Sequence, residues 1–147
     1  MKTILICILS FLIVPMAIAQ TDEEALNMKV IKQWFEVWND GKYELIPDVV
    51  APNYIRHEPK GTRTISRENY GKEIKYSREK LNIRFINHKT TAFKNQVWNL
   101  WTIISINANS GEKVLGSGIS LYRLEKGKLV ETWWSGSINQ GAWPEYK

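Results

Sequence analysis

The chain has 147 residues and a mass of 17.1 kDa, enough for one domain with its own core and too few for two. Hydrophobic residues make up 44% and charged residues 24%, mean hydropathy is −0.32, and glycine and proline are sparse, which excludes a disordered, collagen-like or low-complexity chain. The formal net charge of +5 and the pI near 9.3 come without any block of like charge, so no nucleic-acid partner is expected.

Met1-Lys2 is followed by an almost wholly apolar stretch over 3–14 and then by Ala17-Ile18-Ala19. A positive start, a short apolar middle and a small-x-small end are the parts of an export signal. Residues 1–19 are therefore expected to be a signal peptide, and 20–147 a single mature domain that is periplasmic or extracellular. The apolar stretch is shorter than the ~20 residues of a membrane span and no second one follows, so no membrane span is expected. The sole cysteine, Cys7, lies inside this leader, which leaves the mature domain without a thiol for a disulfide, a metal site or a nucleophile.

Thr21-Asp22-Glu23-Glu24 reads as a capping box, in which the Thr21 hydroxyl accepts from the Glu24 amide and Glu24 reaches back. The helix it opens has polar Lys29, Lys32, Gln33, Glu36 and Asn39 on one arc. Leu26, Val30, Ile31, Trp34, Phe35, Val37 and Trp38 fill a wide remainder, which predicts packing on two sides. Asn39-Asp40-Gly41 ends it. A second short helical segment is expected over 43–50, then a break at Ala51-Pro52-Asn53 and a short extended piece over 54–57 stopped by Glu58-Pro59. Ser66 caps a third helix to about Lys80, with Tyr70, Ile74, Ser77 and Leu81 inward. Basic residues outnumber glutamates between Lys60 and Arg84, a pattern that a solvated helix face explains better than an anion-binding surface does.

The remainder reads as four strands, 82–93, 97–107, 114–124 and 129–137, joined by the turns Lys94-Asn95, Asn109-Ser110-Gly111 and Lys126-Gly127. Three successive hairpins make an antiparallel meander. The second strand carries apolar residues on both faces: Val97, Trp101 and Ile103 on one, Trp98, Leu100, Ile104 and Ile106 on the other. The helices can cover only one of these, so a homodimer through the outer face of the sheet is expected. The fold class is α+β: a cone-shaped barrel in which a curved antiparallel sheet wraps the N-terminal helices and encloses an apolar pocket.

Four stretches, EVWNDGK at 36–42, VAPNYIRHEP at 50–59, SRENY at 66–70 and GISLYRLEKGKLVETW at 118–133, resemble in order and spacing the SnoaL-like polyketide cyclases, or ester cyclases, of the wider nuclear-transport-factor-two-like fold. The resemblance implies a deep apolar pocket in the cone and acid–base chemistry by an aspartate a few residues beyond the last-strand tryptophan. Here that stretch reads Trp134-Ser135-Gly136-Ser137, and the resemblance puts Ser137, or two residues earlier Ser135, in the aspartate's place. A serine cannot take up a carbon-bound proton near neutral pH.

The candidate site follows from both readings. His57 matches the family's histidine and is the best remaining general base. Alternation puts Leu129, Glu131, Trp133, Ser135 and Ser137 on one face, and the resemblance implies that this face looks into the pocket. Glu131 would then be a desolvated carboxyl of raised pKa, with a solvated strand position as its plainer reading. Trp34, Trp38, Tyr54, Trp101, Tyr122 and Trp133, together with Ser137, are candidates to line a site for a small hydrophobic or aromatic molecule, although core packing accounts for most of the aromatic residues. His57 and His88 lie far apart without flanking acids, so no metal is expected, and no cofactor motif is present. Gly116-Ser117-Gly118 lies mid-strand, where it lacks the setting of a nucleophile elbow. Two functions compete: a proton-transfer enzyme acting on a small hydrophobic carbonyl compound, with His57 as base and Glu131 assisting, and a non-catalytic binder or dimeric interaction module that has lost the family aspartate.

Overall fold

The computed structural model describes residues 21–138; the expected signal peptide lies outside the described residues. Thr21 caps the first helix, its hydroxyl accepting from Glu24 N at 3.2 Å while Glu24 Oε2 accepts from Thr21 N at 3.0 Å. Helix α1, Asp22–Asp40, ends at Gly41 in the left-handed region (φ 75°), a conformation that glycine adopts without penalty. A 3-10 turn, Tyr43–Leu45, leads into the one-turn helix α2, Ile46–Val49. After strands β1, Val50–Glu58, and β2, Gly61–Ser66, comes helix α3, Arg67–Leu81, capped by Ser66. Strands β3, Arg84–Phe93, β4, Gln96–Ile106, β5, Lys113–Glu125, and β6, Lys128–Ile138, form the meander. No helix among the described residues is long and apolar enough to cross a membrane.

The six strands form one open sheet in the order β2-β1-β6-β5-β4-β3. The α+β cone stands, with one change to an all-antiparallel sheet: β1 runs parallel to β6 and carries β2 on its far side as an edge hairpin. The extended segment is longer than 54–57 because Pro52 costs no ladder bond. Pairing of β1 with β6 is interrupted between Val50 and Ile55, and pairing with β2 begins at Asn53. Strand β2, unforeseen from sequence, has one apolar residue in six and forms an exposed edge.

Helix α1 lies across the concave face and is fastened to β3 at both ends. Lys94 N donates to Glu24 Oε1 and Asn27 Nδ2 donates to Lys94 O at its start; at its end the Asn39 amide exchanges hydrogen bonds with Phe85 N and O. Between these clamps Val30, Ile31, Trp34 and Val37 meet Ile74, Val97, Leu124 and Leu129 in the main core.

Trp101, fully buried on the concave face of β4, lies over two glycines. It pairs with Gly118 of β5, which pairs with Gly136 of β6. A Cβ on Gly118 would fall 2.4 Å from the Trp101 ring, and one on Gly136 2.5 Å away. These glycines make room for an indole. Gly118→Ala is therefore expected to destabilise the protein by about 1–3 kcal/mol through overpacking, a loss that urea titration followed by circular dichroism would measure.

Candidate functional site

A cavity of about 130 Å³ opens between the helices and the concave face of the sheet. Helix α1 supplies Trp34, Phe35 and Trp38, and α3 supplies Tyr70. The sheet contributes Tyr54 and Arg56 of β1, Ser120 and Tyr122 of β5, and Thr132 and Trp134 of β6, while Ile83, Phe85 and Ile103 complete the wall. Of the aromatic candidates, Trp34, Trp38, Tyr54 and Tyr122 are thus on the cavity. Trp101 is behind it, packed edge-on to Phe85 and stacked on Trp134 at 5.5 Å. The side chain of Ser137 lies outside the described part of the structure.

The wall's polar groups are neutral hydroxyls and one guanidinium. The Tyr54 hydroxyl bonds the Thr132 hydroxyl, and Ser120 Oγ accepts from Trp101 Nε1 at 2.9 Å. Burial pushes the phenols of Tyr54 and Tyr70 up and that of Tyr122 to about 12, so all three remain protonated near neutral pH. Arg56 lies over the Tyr70 ring, 4.5 Å from its centroid, and bonds Glu58 at 2.6 Å. Sequence reasoning missed Arg56. Its alternation with Tyr54 was the available signal, because residues two apart on a strand share a face.

Glu131 and Trp133 face the other way, a correction to the alternation read from sequence. Leu124 of β5 pairs with Leu129 of β6, but Arg123 pairs with Glu131. Val130 is an extra residue, a bulge that moves everything after it to the opposite face. Leu129 and Thr132 are buried inside, whereas Glu131 and Trp133 join Ile55 and His57 of β1 on the convex face.

His57 and Glu131 do meet, but outside the cavity. His57 Nε2 lies 2.7 Å from Glu131 Oε1, Arg123 Nε donates to Glu131 Oε2 at 2.7 Å, and the imidazole stacks on Trp133 at 4.8 Å. Burial alone would raise the Glu131 carboxyl, yet the hydrogen bonds from His57 and Arg123 and the Arg123 charge outweigh it and hold the group below its ordinary value. This is opposite to the shift expected of a buried pocket acid. An ionised carboxylate only accepts, so Nε2 carries a hydrogen, and in the neutral ring Nδ1 accepts from the Thr62 hydroxyl at 2.7 Å. Both ring nitrogens are engaged, and the chain Thr62–His57–Glu131–Arg123 ties β2, β1, β6 and β5 together. Among the described residues no three metal-ligating side chains converge.

Helices in the mouth of a curved sheet with an aromatic-walled cavity between them define the nuclear-transport-factor-two-like cone. Within that class the chain belongs to the SnoaL-like domain family, whose model matches residues 31–132. Solved structures agree on the fold. A SnoaL-like polyketide cyclase from Agrobacterium tumefaciens superposes with a TM-score of 0.66 at 11% identity, over 78% of this chain and 91% of its own. A nuclear-transport-factor-two-like protein of unknown function from Cytophaga hutchinsonii gives 0.58 at 21% identity, over 76% and 89%. Comparison with proteins of curated function returned no match.

The lowered Glu131 carboxyl stabilises the fold most above its unfolded value of 4.5, and that contribution fades as pH falls through the lower folded value. Glu131→Gln should cost about 1 kcal/mol near pH 7. The gap between variant and wild type should narrow once the pH is below 4, as urea titrations at the two pH values would show.

Proposed function

We propose that this SnoaL-like domain binds a small, largely aromatic molecule in its cavity and does not perform the acid–base ring closure that the family resemblance implies. One observation carries the reading: among the described residues the cavity wall holds neither carboxylate nor imidazole, while the His57–Glu131 pair stands on the opposite face of the sheet. Abstraction of a carbon-bound proton needs a base within hydrogen-bond reach of it, and neutral hydroxyls beside a guanidinium offer none near pH 7. The cavity is also small. Ordinary ligand sites measure ~300–1,000 Å³, whereas a cavity of ~150 Å³ takes benzene, so 130 Å³ fits one ring rather than a polycyclic substrate.

The leader over 1–19 supports export, and the convex face supports a second copy of the chain. Trp98 is 48% and Ile119 43% exposed there, and Ile86, Ile106 and Trp133 extend the patch across β3 to β6.

Phenol, anisole and benzaldehyde should give saturable changes in the fluorescence of a protein with three tryptophans on the cavity wall. His57→Ala, folded as judged by circular dichroism, should bind them unchanged. Chromatography of the incubated ligands should show no product. No response to any member, or turnover of the carbonyl member, would overturn the reading. Sedimentation velocity at micromolar concentration should show a dimer that Trp98→Glu dissociates, and a monomeric wild type would refute that assembly.

A further inference from the structure

We infer that the cavity selects an anion, a single-ring carboxylate of about benzoate size, with Arg56 as the residue that chooses it; this rests on the cavity being a binding site. The Arg56 side chain is only 16% exposed, and withdrawing a guanidinium from water costs several kcal/mol unless opposite charge and hydrogen bonds replace the water. The protein supplies part of that replacement. Glu58 Oε1 meets one terminal nitrogen of Arg56, but Glu58 is shared with Arg63, whose Nε donates to Glu58 Oε2 at 3.2 Å. The Nε of Arg56 has no hydrogen-bond partner among the described residues and is itself closed to solvent, so an incoming acceptor would meet the guanidinium at its terminal nitrogens. A planar carboxylate is the acceptor that a guanidinium fork matches best.

The surroundings fix how such a ligand would lie. Arg56 and Trp134 belong both to the inner cavity and to an open depression of about 270 Å³, whose other walls are Glu58, Pro59 and Lys60. The guanidinium therefore stands on the wall that the two share. The carboxylate would sit against Arg56, with Glu58 and Lys60 both on the outer side, and the ring would reach inward among Trp34, Tyr70 and Trp134. The only formal charge among the described residues of the inner cavity wall is positive. A cationic ring would meet Arg56 without a compensating carboxylate inside the cavity, and a neutral ring would leave the guanidinium no better satisfied than before.

Three probes of one size test the inference by calorimetry and tryptophan fluorescence on the wild-type protein: benzoate, benzamide and benzylamine. Benzoate should bind at least tenfold more tightly than benzamide, and benzylamine should not bind. Arg56→Met should erase the preference for benzoate and leave benzamide within about twofold. Glu58→Gln, which removes the competing carboxylate, should tighten benzoate severalfold. Equal binding of benzoate and benzamide to wild type would overturn the inference while leaving the cavity reading in place, and it needs no variant to fold. Binding of none of the three would remove the cavity reading and this inference with it.

Discussion

The one extra residue in β6 decides what the cavity contains. Val130 has no partner in the ladder between Leu124–Leu129 and Arg123–Glu131, and because side chains alternate with a period of two, a single inserted residue exchanges the two faces of every position beyond it. Leu129 seals the core before the bulge; Thr132 and Trp134 enter the cavity after it. Without the bulge Glu131 and Trp133 would take those places, and a carboxylate would be enclosed by indoles. Where it stands, Glu131 accepts from His57 and Arg123 at 2.7 Å each, which satisfies it at the surface of the sheet.

The same bulge joins the edge hairpin to the meander. β1 pairs with β6 at Val50–Leu129 and then from Ile55–Glu131 onward, so the irregular stretch of β1 that holds Pro52 lies opposite Val130. Past that point the two strands run in register, and the matched pairs Arg56–Thr132 and His57–Trp133 sort themselves to opposite faces. The histidine and the arginine are neighbours in sequence, yet one belongs to a convex network and the other to the cavity. The back of the cavity is fixed by close contact. Trp101 lies on Gly118 and Gly136 and stacks on Trp134, so the Trp134 ring is held from behind.

Much of the fold was legible in the sequence, for local reasons. The capping residues Thr21 and Ser66 and the alternation in β4 and β5 are short-range signals, and the turn Lys126-Gly127 takes the left-handed conformation at both residues that its composition favours. The SnoaL-like resemblance had the class right, and its family model spans 31–132. Two elements were not legible. β2 is polar and edge-exposed, so no apolar rhythm marks it. The bulge is silent because Val130 is apolar and fits either face, and the parity of Glu131, Trp133 and Ser135 inherits that silence. His57 and Glu131 were found as a pair because both are titratable residues in stretches that resemble the family. Which side they occupy depends on a register that sequence alternation cannot count through a bulge. Arg56 shares strand parity with Tyr54, but a charged side chain between Ile55 and His57 adds no apolar rhythm to that signal, and the Tyr54–Tyr70–Tyr122 surroundings that make it a cavity residue are tertiary.

Similarity of fold at 11–21% identity carries the cone and leaves the chemistry to the wall. The two faces of the sheet hold different charges. On the convex face the Glu131 carboxylate, its side chain 15% exposed, is held by His57 and Arg123 and pins strands. On the cavity side Arg56 keeps more of its field because aromatic rings displace the water that would screen it. The hydroxyls beside Arg56 stay neutral because burial raises the phenols, so they donate or accept without adding charge. Generating an anion from a carbon acid would require a base within hydrogen-bond reach, and the described residues of this wall hold none.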